Sequence, residues 1–244
     1  MFTTLADKIK ISKSGYLKDW GVKLGIIILI SILITPGLTS LKVGATDNNS
    51  TIQIRTGHLQ NKEDNIELSK GVKIKKGDID LSAPRGTMKR QEKKLTLLEG
   101  VKMNYDQGDI ESQKMVGWLN DNKYLFEKEV VFDYKPLDKD KRGFVLKAPY
   151  LEMLSDDKSF VAKNGVTINY NKKLLKADKA EYSDENEQLI LNDNVHIKEE
   201  NGDWIKSQKA VFDLSTGQED FKADGDVEIE LKLDEEKNGN SSSE

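Results

Sequence analysis

A nine-residue motif recurs six times and limits the fold more than any other feature of the chain. Each copy starts with an apolar residue and has a valine six positions later, usually after a small or turn-prone residue. The copies are IELSKGVKI (Ile66–Ile74), LTLLEGVKM (Leu95–Met103), LFEKEVVFD (Leu125–Asp133), FVAKNGVTI (Phe160–Ile168), LILNDNVHI (Leu189–Ile197) and FKADGDVEI (Phe221–Ile229). The aligned valines are Val72, Val101, Val131, Val166, Val195 and Val227, with spacings of 29, 30, 35, 29 and 32 residues. Such a period predicts units that stack on one another around a shared core.

Apolar residues alternate with polar ones inside the copies, which predicts strands with one buried and one exposed face. The fourth copy puts Phe160, Ala162, Val166, Ile168 and Tyr170 on one parity.

The residue before the valine is Gly71, Gly100 or Gly165 in three copies, and this predicts a bulge or kink in mid-strand. The third copy has Val130 at that place, and its apolar neighbours fall on the other parity. We therefore expect an altered register in the third copy.

A second strand is predicted after each of the first five copies. In each, a small residue follows an apolar one by two positions: Leu81/Ala83, Ile110/Ser112, Leu146/Ala148, Leu175/Ala177 and Ile205/Ser207. Turn residues separate the strands, as in DQGD (Asp106–Asp109), and Lys135–Arg142 is an insertion that explains the 35-residue spacing. We expect about eleven strands and no helix beyond residue 45.

An apolar segment, Leu24–Ile34, precedes the repeats. Extended to residues 22–41, it approaches the roughly 20 residues that a transmembrane helix needs. Lysines outnumber acidic residues before it, and few lysines follow it, so the positive-inside rule puts the N-terminus (residues 1–21) in the cytoplasm and the body on the other side of the membrane. This predicts a single-pass membrane protein.

Cleavage after Ala45 is the alternative, because the strictly apolar run is short and Val43, Gly44 and Ala45 resemble a signal-peptide site. Beyond this segment we expect a polar linker at 42–60, a β-repeat domain at 61–233 and a charged, disordered tail at 234–244.

Composition argues against several classes of function. The 244 residues carry a formal net charge of only −4, which lacks the basic excess typical of nucleic-acid binding. The chain has no cysteine and two histidines, so thiolate chemistry is excluded and a histidine-based metal site or catalytic triad has little to build on. We expect no enzymatic activity, no cofactor and no metal.

The apolar segment followed by these hairpin motifs resembles the LptC/LptA (OstA-like) family of lipopolysaccharide-transport proteins, and membrane-anchored LptC most. The second-strand motif is clearest at Leu175–Tyr182, LKADKAEY. The resemblance covers roughly residues 20–233. It implies an all-β fold: an elongated β-jellyroll stack of antiparallel hairpins after one N-terminal transmembrane helix. It also implies that the helix lies in the inner membrane and the body in the periplasm.

The resemblance also implies a function. Such a protein accepts lipopolysaccharide from an inner-membrane ABC transporter of the LptBFG type and passes it to a periplasmic LptA-like bridge protein. Alternating strands would hold acyl chains on a dry face, and the residues expected there are Val101, Met103, Leu146, Val166, Ile168, Leu175, Val195 and Ile197. These could equally be ordinary core. A structural or adhesive β-repeat module with a filled core, or an LptA-like role, are the alternatives.

Other residue groups suggest weaker hypotheses. Glu127/Glu129 and Asp156/Asp157 could be read as paired carboxylates of a glycosidase, but solvated strand edges and turns are much commoner in so acidic a chain. His196 is expected on the exposed face of its strand, and His58 in the linker. Trp118 and Trp204 could stack on sugars, although a packing role is commoner.

Overall fold

A computed structural model of the protein describes residues 51–215 and 220–232. The chain divides into two compact units, Met1–Gly44 and Ala45–Glu244, and all the described residues belong to the second. No helix among them is long and apolar enough to span a membrane. The predicted cytoplasmic tail (1–21), transmembrane helix (22–41) and disordered tail (234–244) lie outside the described residues.

The described residues form one antiparallel sheet of fourteen strands, which confirms the all-β prediction. The strands are β1 (Ile52–Lys62), β2 (Asn65–Lys76), β3 (Ile79–Ala83), β4 (Arg85–Lys89), β5 (Lys94–Tyr105), β6 (Gly108–Trp118), β7 (Lys123–Tyr134), β8 (Phe144–Leu154), β9 (Ser159–Tyr170), β10 (Lys173–Ser183), β11 (Gln188–Lys198), β12 (Trp204–Asp213), β13 (Phe221–Asp224) and β14 (Glu228–Glu230). Each strand pairs with its neighbours in sequence, except that β3 and β4 share the place between β2 and β5, and β13 and β14 share the edge beside β12.

The sheet has three strands more than expected. The partner strand of the first copy continues as β4, the sixth copy breaks into β13 and β14, and β1 occupies part of the predicted linker. The prediction of a linker at 42–60 is therefore wrong from Ile52 onwards, because β1 begins there. Ile52 and Ile54 alternate with polar residues and are partly buried against the core, so this short apolar pair is enough to add an edge strand to β2.

A bulge interrupts the ladder near the middle of the long strands, as the glycines predict. Two consecutive residues with positive φ form it in each copy: Lys70/Gly71, Glu99/Gly100, Lys128/Glu129, Asn164/Gly165, Asp193/Asn194 and Gly225/Asp226. The register shifts at this level between neighbouring strands from β5 to β12, so the bulges form a column across the sheet.

The third copy keeps the common geometry, which corrects the expected register change. Lys128 and Glu129 take the two positive-φ positions, so the valine equivalent to Val101 is Val130, which is 1% exposed, and not Val131. The parity difference in the sequence therefore reflects a one-residue error in alignment. In the sixth copy the equivalent Val227 is 45% exposed, because the sheet ends there.

The sheet doubles over along the bulge column and forms two layers. The first layer contains β3, β14 and the strand halves in line with them, and the second contains β4, β13 and the opposite halves. Side chains from both layers meet in one continuous core. Phe132 in the first layer, for example, contacts Phe160 in the second, with ring centroids 5.4 Å apart.

Candidate functional site: a dry interior closed by a polar seam

All eight residues expected on the dry face lie in the core between the two layers. Their relative exposures are 2% or less, so the structure brings them together in one apolar interior. They are packed against other side chains in this conformation. An acyl chain could reach them only if the layers moved apart.

Aromatic rings fill the middle of this interior. Phe132 lies within 6.2 Å of four other rings, which are Tyr105, Tyr134, Phe144 and Phe160. Such contacts add to the stabilisation that burial of apolar surface provides. The cluster joins both layers.

The edge of the interior at the bulge column, here called the hinge, is built from valines paired with small residues. The cross-strand pairs are Val72–Ala83, Val101–Ser112, Val130–Ala148, Val166–Ala177 and Val195–Ser207. The small residues noticed in the sequence are thus those that permit close approach where the sheet bends. Ser112 and Ser207 are buried, and each hydroxyl donates a hydrogen bond to the carbonyl two residues further on.

The opposite edge, here called the seam, is where the two layers meet without a covalent connection. The Gln107 Nε2 atom donates to Asp184 Oδ1 at 3.1 Å, although the two residues are 77 positions apart. Gln107 is only 3% exposed, which is unusual for a turn residue. The hydroxyls of Tyr134 and Tyr182 are 2.7 Å apart, and Tyr182 also donates to Asp184.

Lysines extend the seam on both sides of this cluster. Lys141, in the loop between β7 and β8, forms an ion pair with Glu187 in the turn before β11. Lys158 lies 3.6 Å from Asp106, and Lys76 donates to the carbonyl of Leu119 at 2.5 Å. Partial burial lowers the pKa of Lys76, and Asp156 opposes that effect.

Tyrosines line the interior side of the seam. Tyr105, Tyr134 and Tyr170 end their strands, Tyr182 is the penultimate residue of β10, and Tyr124 is the second residue of β7. Burial raises the pKa of Tyr105 and Tyr182 far above the usual value, and raises that of Tyr124 to about 12. The hydroxyls of these three tyrosines therefore stay neutral, and they form a weakly polar boundary between the apolar interior and water.

A cavity of about 200 Å³ lies at the seam beneath the β7–β8 loop. Both layers and the loop contribute to its lining, through Gln107, Tyr134, Tyr182, Asp184 and Lys141. These residues were not predicted from the sequence, although it contains one signal for them. A tyrosine is the last residue of several apolar runs just before a turn, as in MNY, FDY, INY and AEY.

The weaker candidates do not assemble into a reactive site. Glu127 pairs with Lys114, and Glu129 accepts a hydrogen bond from Gln113. Asp156 accepts one from Asn122. Among the residues that the structure describes, no group of three or more His, Cys, Asp or Glu side chains converges as a metal site would require.

The histidines and tryptophans lie outside the interior. His58 is exposed on β1, not in a linker. Trp118 lies between Lys94 and Lys123, whose amines are 5.3 and 5.9 Å from its ring centroid. A second cavity, of about 760 Å³, is lined by residues of β1–β3 and β5–β7, half of which are charged and several of which are apolar.

Comparison with known proteins gives one family. The model of a family described as "Lipopolysaccharide-assembly, LptC-related" matches residues 131–232, which include β8–β14 and the end of β7. No curated protein matches the chain. Among solved structures, one similar chain is the crystal structure of LptH, the LptA-homologous periplasmic component of the lipopolysaccharide transport device from Pseudomonas aeruginosa. It is 12% identical, with 76% of this chain and 99% of that chain covered and a TM-score of 0.24. The family model supports the resemblance indicated by the repeats: residues 131–232 of the chain match the LptC-related pattern.

Proposed function

We propose that the protein carries lipopolysaccharide through the cell envelope, with the acyl chains held between the two layers. One observation supports this most directly: an apolar interior is closed along one edge by tyrosines, hydrogen bonds and ion pairs, without a covalent connection. Each buried methylene contributes about 0.8 kcal/mol, so a lipid with several acyl chains has ample free energy to replace contacts of that kind. The sugar headgroup would stay outside the seam, in water.

The route of the lipid belongs to the same proposal. The protein accepts lipopolysaccharide from an inner-membrane ABC transporter of the LptBFG type and passes it to a periplasmic LptA-like bridge. The edges of the sheet suit strand pairing with such neighbours. At one edge, Val227, Ile229 and Leu231 are exposed by 45%, 58% and 64%. An anchor at residues 22–41 would keep the protein at the inner membrane.

Photo-crosslinking from inside the interior tests whether lipid enters. A photoreactive amino acid is placed at Ile168 or Val195, both at most 2% exposed, and at Asn169 on the outer face of β9 as control. We expect lipopolysaccharide adducts from the two interior positions and few from Asn169. Adducts from Asn169 alone would exclude transport through the interior.

A reversible lock across the seam tests whether the layers must part. The chain has no cysteine, so Gln107→Cys/Asp184→Cys introduces one disulfide between the layers. Lys102→Cys/Glu111→Cys joins two paired strands of one layer and serves as the control. Oxidation should abolish the Ile168 adduct in the seam variant, reduction should restore it, and the control should be unaffected.

One observation favours a structural or adhesive β-repeat module instead. The interior is filled by its own side chains, as such a module requires. That function predicts no interior adduct in either redox state, so the same two experiments separate the two functions.

A further inference from the structure

The outer face of the first layer carries two distinct charge patterns along one row. Backbone pairing aligns one outward residue from each strand, and the row contains Arg55, Lys73, Ser82, Lys102, Glu111, Val131, Lys147, Thr167, Lys176, His196, Lys206 and Glu228. A second row lies beside it. These two rows differ between the N-terminal strands and the C-terminal ones.

On β2–β7, two of the three lysines in these rows face a carboxylate on a neighbouring strand, and the third, Lys73, is in register with Arg55 and Ser82. Lys102 lies 2.7 Å from Glu111, and Lys75 lies 3.5 Å from Asp80. Opposite charges across a strand pair are mutually stabilising. This part of the face therefore neutralises itself.

On β8–β12, the lysines in the same rows face no carboxylate on these five strands, and only Lys206 has one on the edge strand β14. Lys176 is paired in register with His196, and His196 with Lys206, so positive and titratable groups are neighbours. Lys198 lies in the adjacent row beside Trp204. We call Lys147, Lys176, His196, Lys198, Trp204 and Lys206 the basic patch. Across these five described strands, neither row contains a carboxylate.

The surroundings of the basic patch confirm its positive potential. Burial lowers the pKa of His196, and Lys206, Lys176 and Lys198 lower it further, in that order. Carboxylates lie at its margins. Glu228 at the sheet edge is 3.8 Å from Lys206, with both side chains more than half exposed, and Glu230 is in register with Trp204. At the other margin, Asp133 is in register with Val145. Like charges in register are unfavourable unless an external anion compensates them.

The side-chain types of the basic patch favour a membrane over a protein as that anion. Lysines are depleted in protein–protein interfaces, where arginine is preferred. Flexible lysine stems with single point charges suit a diffuse layer of lipid phosphates. Trp204 and the partly exposed Leu174 and Val145 provide amphipathic and apolar groups of the kind found at headgroup depth. The five strands span about 20 Å, which is wide enough for several headgroups.

We propose that the basic patch docks the repeat domain on an anionic phospholipid membrane. The face meets the headgroups while the seam and the interior remain available for cargo. The inference goes beyond lipid carriage and needs only that the protein lies beside an anionic leaflet. Its test involves no lipopolysaccharide, so its failure would leave the proposed function untouched.

The test uses two matched single-cysteine sites in the full chain, which has no cysteine of its own. Thr167 lies in the row between Lys147 and Lys176, and Ser82 lies in the same row between Lys73 and Lys102. Each variant, Thr167→Cys or Ser82→Cys, is spin-labelled and reconstituted with vesicles. One set is phosphatidylcholine alone, and the other also contains phosphatidylglycerol. Label accessibility to a water-soluble nickel complex is measured by electron paramagnetic resonance.

We expect accessibility at position 167 to fall about threefold with phosphatidylglycerol and to stay unchanged at position 82. Salt near 0.5 M should restore it, because screening is strong at that ionic strength. Lys147→Gln, Lys176→Gln, Lys198→Gln and Lys206→Gln together should abolish the effect, and Lys73→Gln, Lys75→Gln and Lys102→Gln together should not. Circular dichroism melting checks that both variants are folded.

Three outcomes would overturn the proposal. They are no shielding at position 167 in either vesicle, equal shielding in both vesicles, or shielding that appears without vesicles and so reports protein–protein contact. Flotation with phosphatidylcholine vesicles separately reports whether the N-terminal segment anchors the chain.

Discussion

The hinge and the seam enclose the same interior, yet they are built from different chemistry. At the hinge the chain runs from one layer to the other, and valine faces alanine or serine in five successive pairs. At the seam the layers meet through tyrosine hydroxyls, one buried glutamine and lysine–carboxylate pairs. Polar contacts of this kind contribute little net free energy, because water replaces them when they break. The weaker polar contacts are thus at the seam, so the separation of the layers that we propose would begin there and not at the hinge.

Removing the ring that joins the layers should have the largest effect on this contrast. Phe132 is 0% exposed and packs on rings of both layers. Phe132→Ala should lower the free energy of unfolding by about 3–5 kcal/mol, from lost burial and the cavity left behind. Urea denaturation measures it, with Val131→Ala on the outer face as the control. A loss no larger than the control's would mean that the interior is loosely packed.

Alkaline pH should weaken the seam side through its buried tyrosines. Burial chiefly, and Asp156 next, raises the pKa of Tyr124 from 10.0 to about 12, and its hydroxyl has no hydrogen-bond partner. The unfolded chain loses this proton first, so stability is full below pH 10 and falls as the pH rises towards about 12. Tyr124→Phe should reduce that fall by roughly 2 kcal/mol.

Equilibrium unfolding at a series of alkaline pH values measures the Tyr124 effect. The partly exposed Tyr150 supplies a matched control, because Tyr150→Phe should change the profile much less. Parallel profiles for Tyr124→Phe and the unsubstituted chain would contradict this assignment.

A larger residue at the hinge should be tolerated poorly. Ala148 is 6% exposed and faces Val130. Ala148→Leu should cost about 1–3 kcal/mol through overpacking where the sheet bends. Ala148→Ser is the control, because serine occupies the equivalent places on β6 and β12. Equal stabilities of the two variants in thermal melts would show that the hinge has no need of small residues.

A single seam contact should matter least for stability. Gln107→Ala removes the hydrogen bond to Asp184, and we expect a loss of about 1 kcal/mol. The same change should accelerate amide hydrogen exchange at the ends of β7 and β10, and leave the hinge amides of β9 unaffected. A loss as large as that of Phe132→Ala would remove the distinction between seam and interior.

The strands were predictable where one residue pattern is sufficient to define them. Alternation around Val166 and Val195 predicts β9 and β11, and a residue with positive φ is cheapest as glycine, so Gly100 and Gly165 predict the bulges. The third bulge was not predicted because Lys128 and Glu129 adopt the same backbone conformation without a glycine. β1 was not predicted because its alternating pattern consists of only Ile52 and Ile54, which a polar stretch follows.

The seam could not be predicted in the same way, because it depends on how the layers fold over each other. Gln107 and Asp184 come from turns that no local pattern connects. The eight interior residues were placed correctly as buried, since parity within a strand determines which face is dry. Lipid binding to that face would require the two layers to move apart, and the alternation of residues within a strand does not encode such a movement.

Every copy contains the same bulge, so each hairpin adds the same length to the sheet. Each hairpin contributes two strands, the bulges at which they bend and one valine that faces an alanine or a serine. It therefore lengthens the interior by about 10 Å without changing its width. Adding whole hairpins would therefore lengthen the interior and keep its width. Deletion of one complete hairpin should shorten the interior and preserve its cross-section, whereas deletion of a single strand would invert every face beyond it.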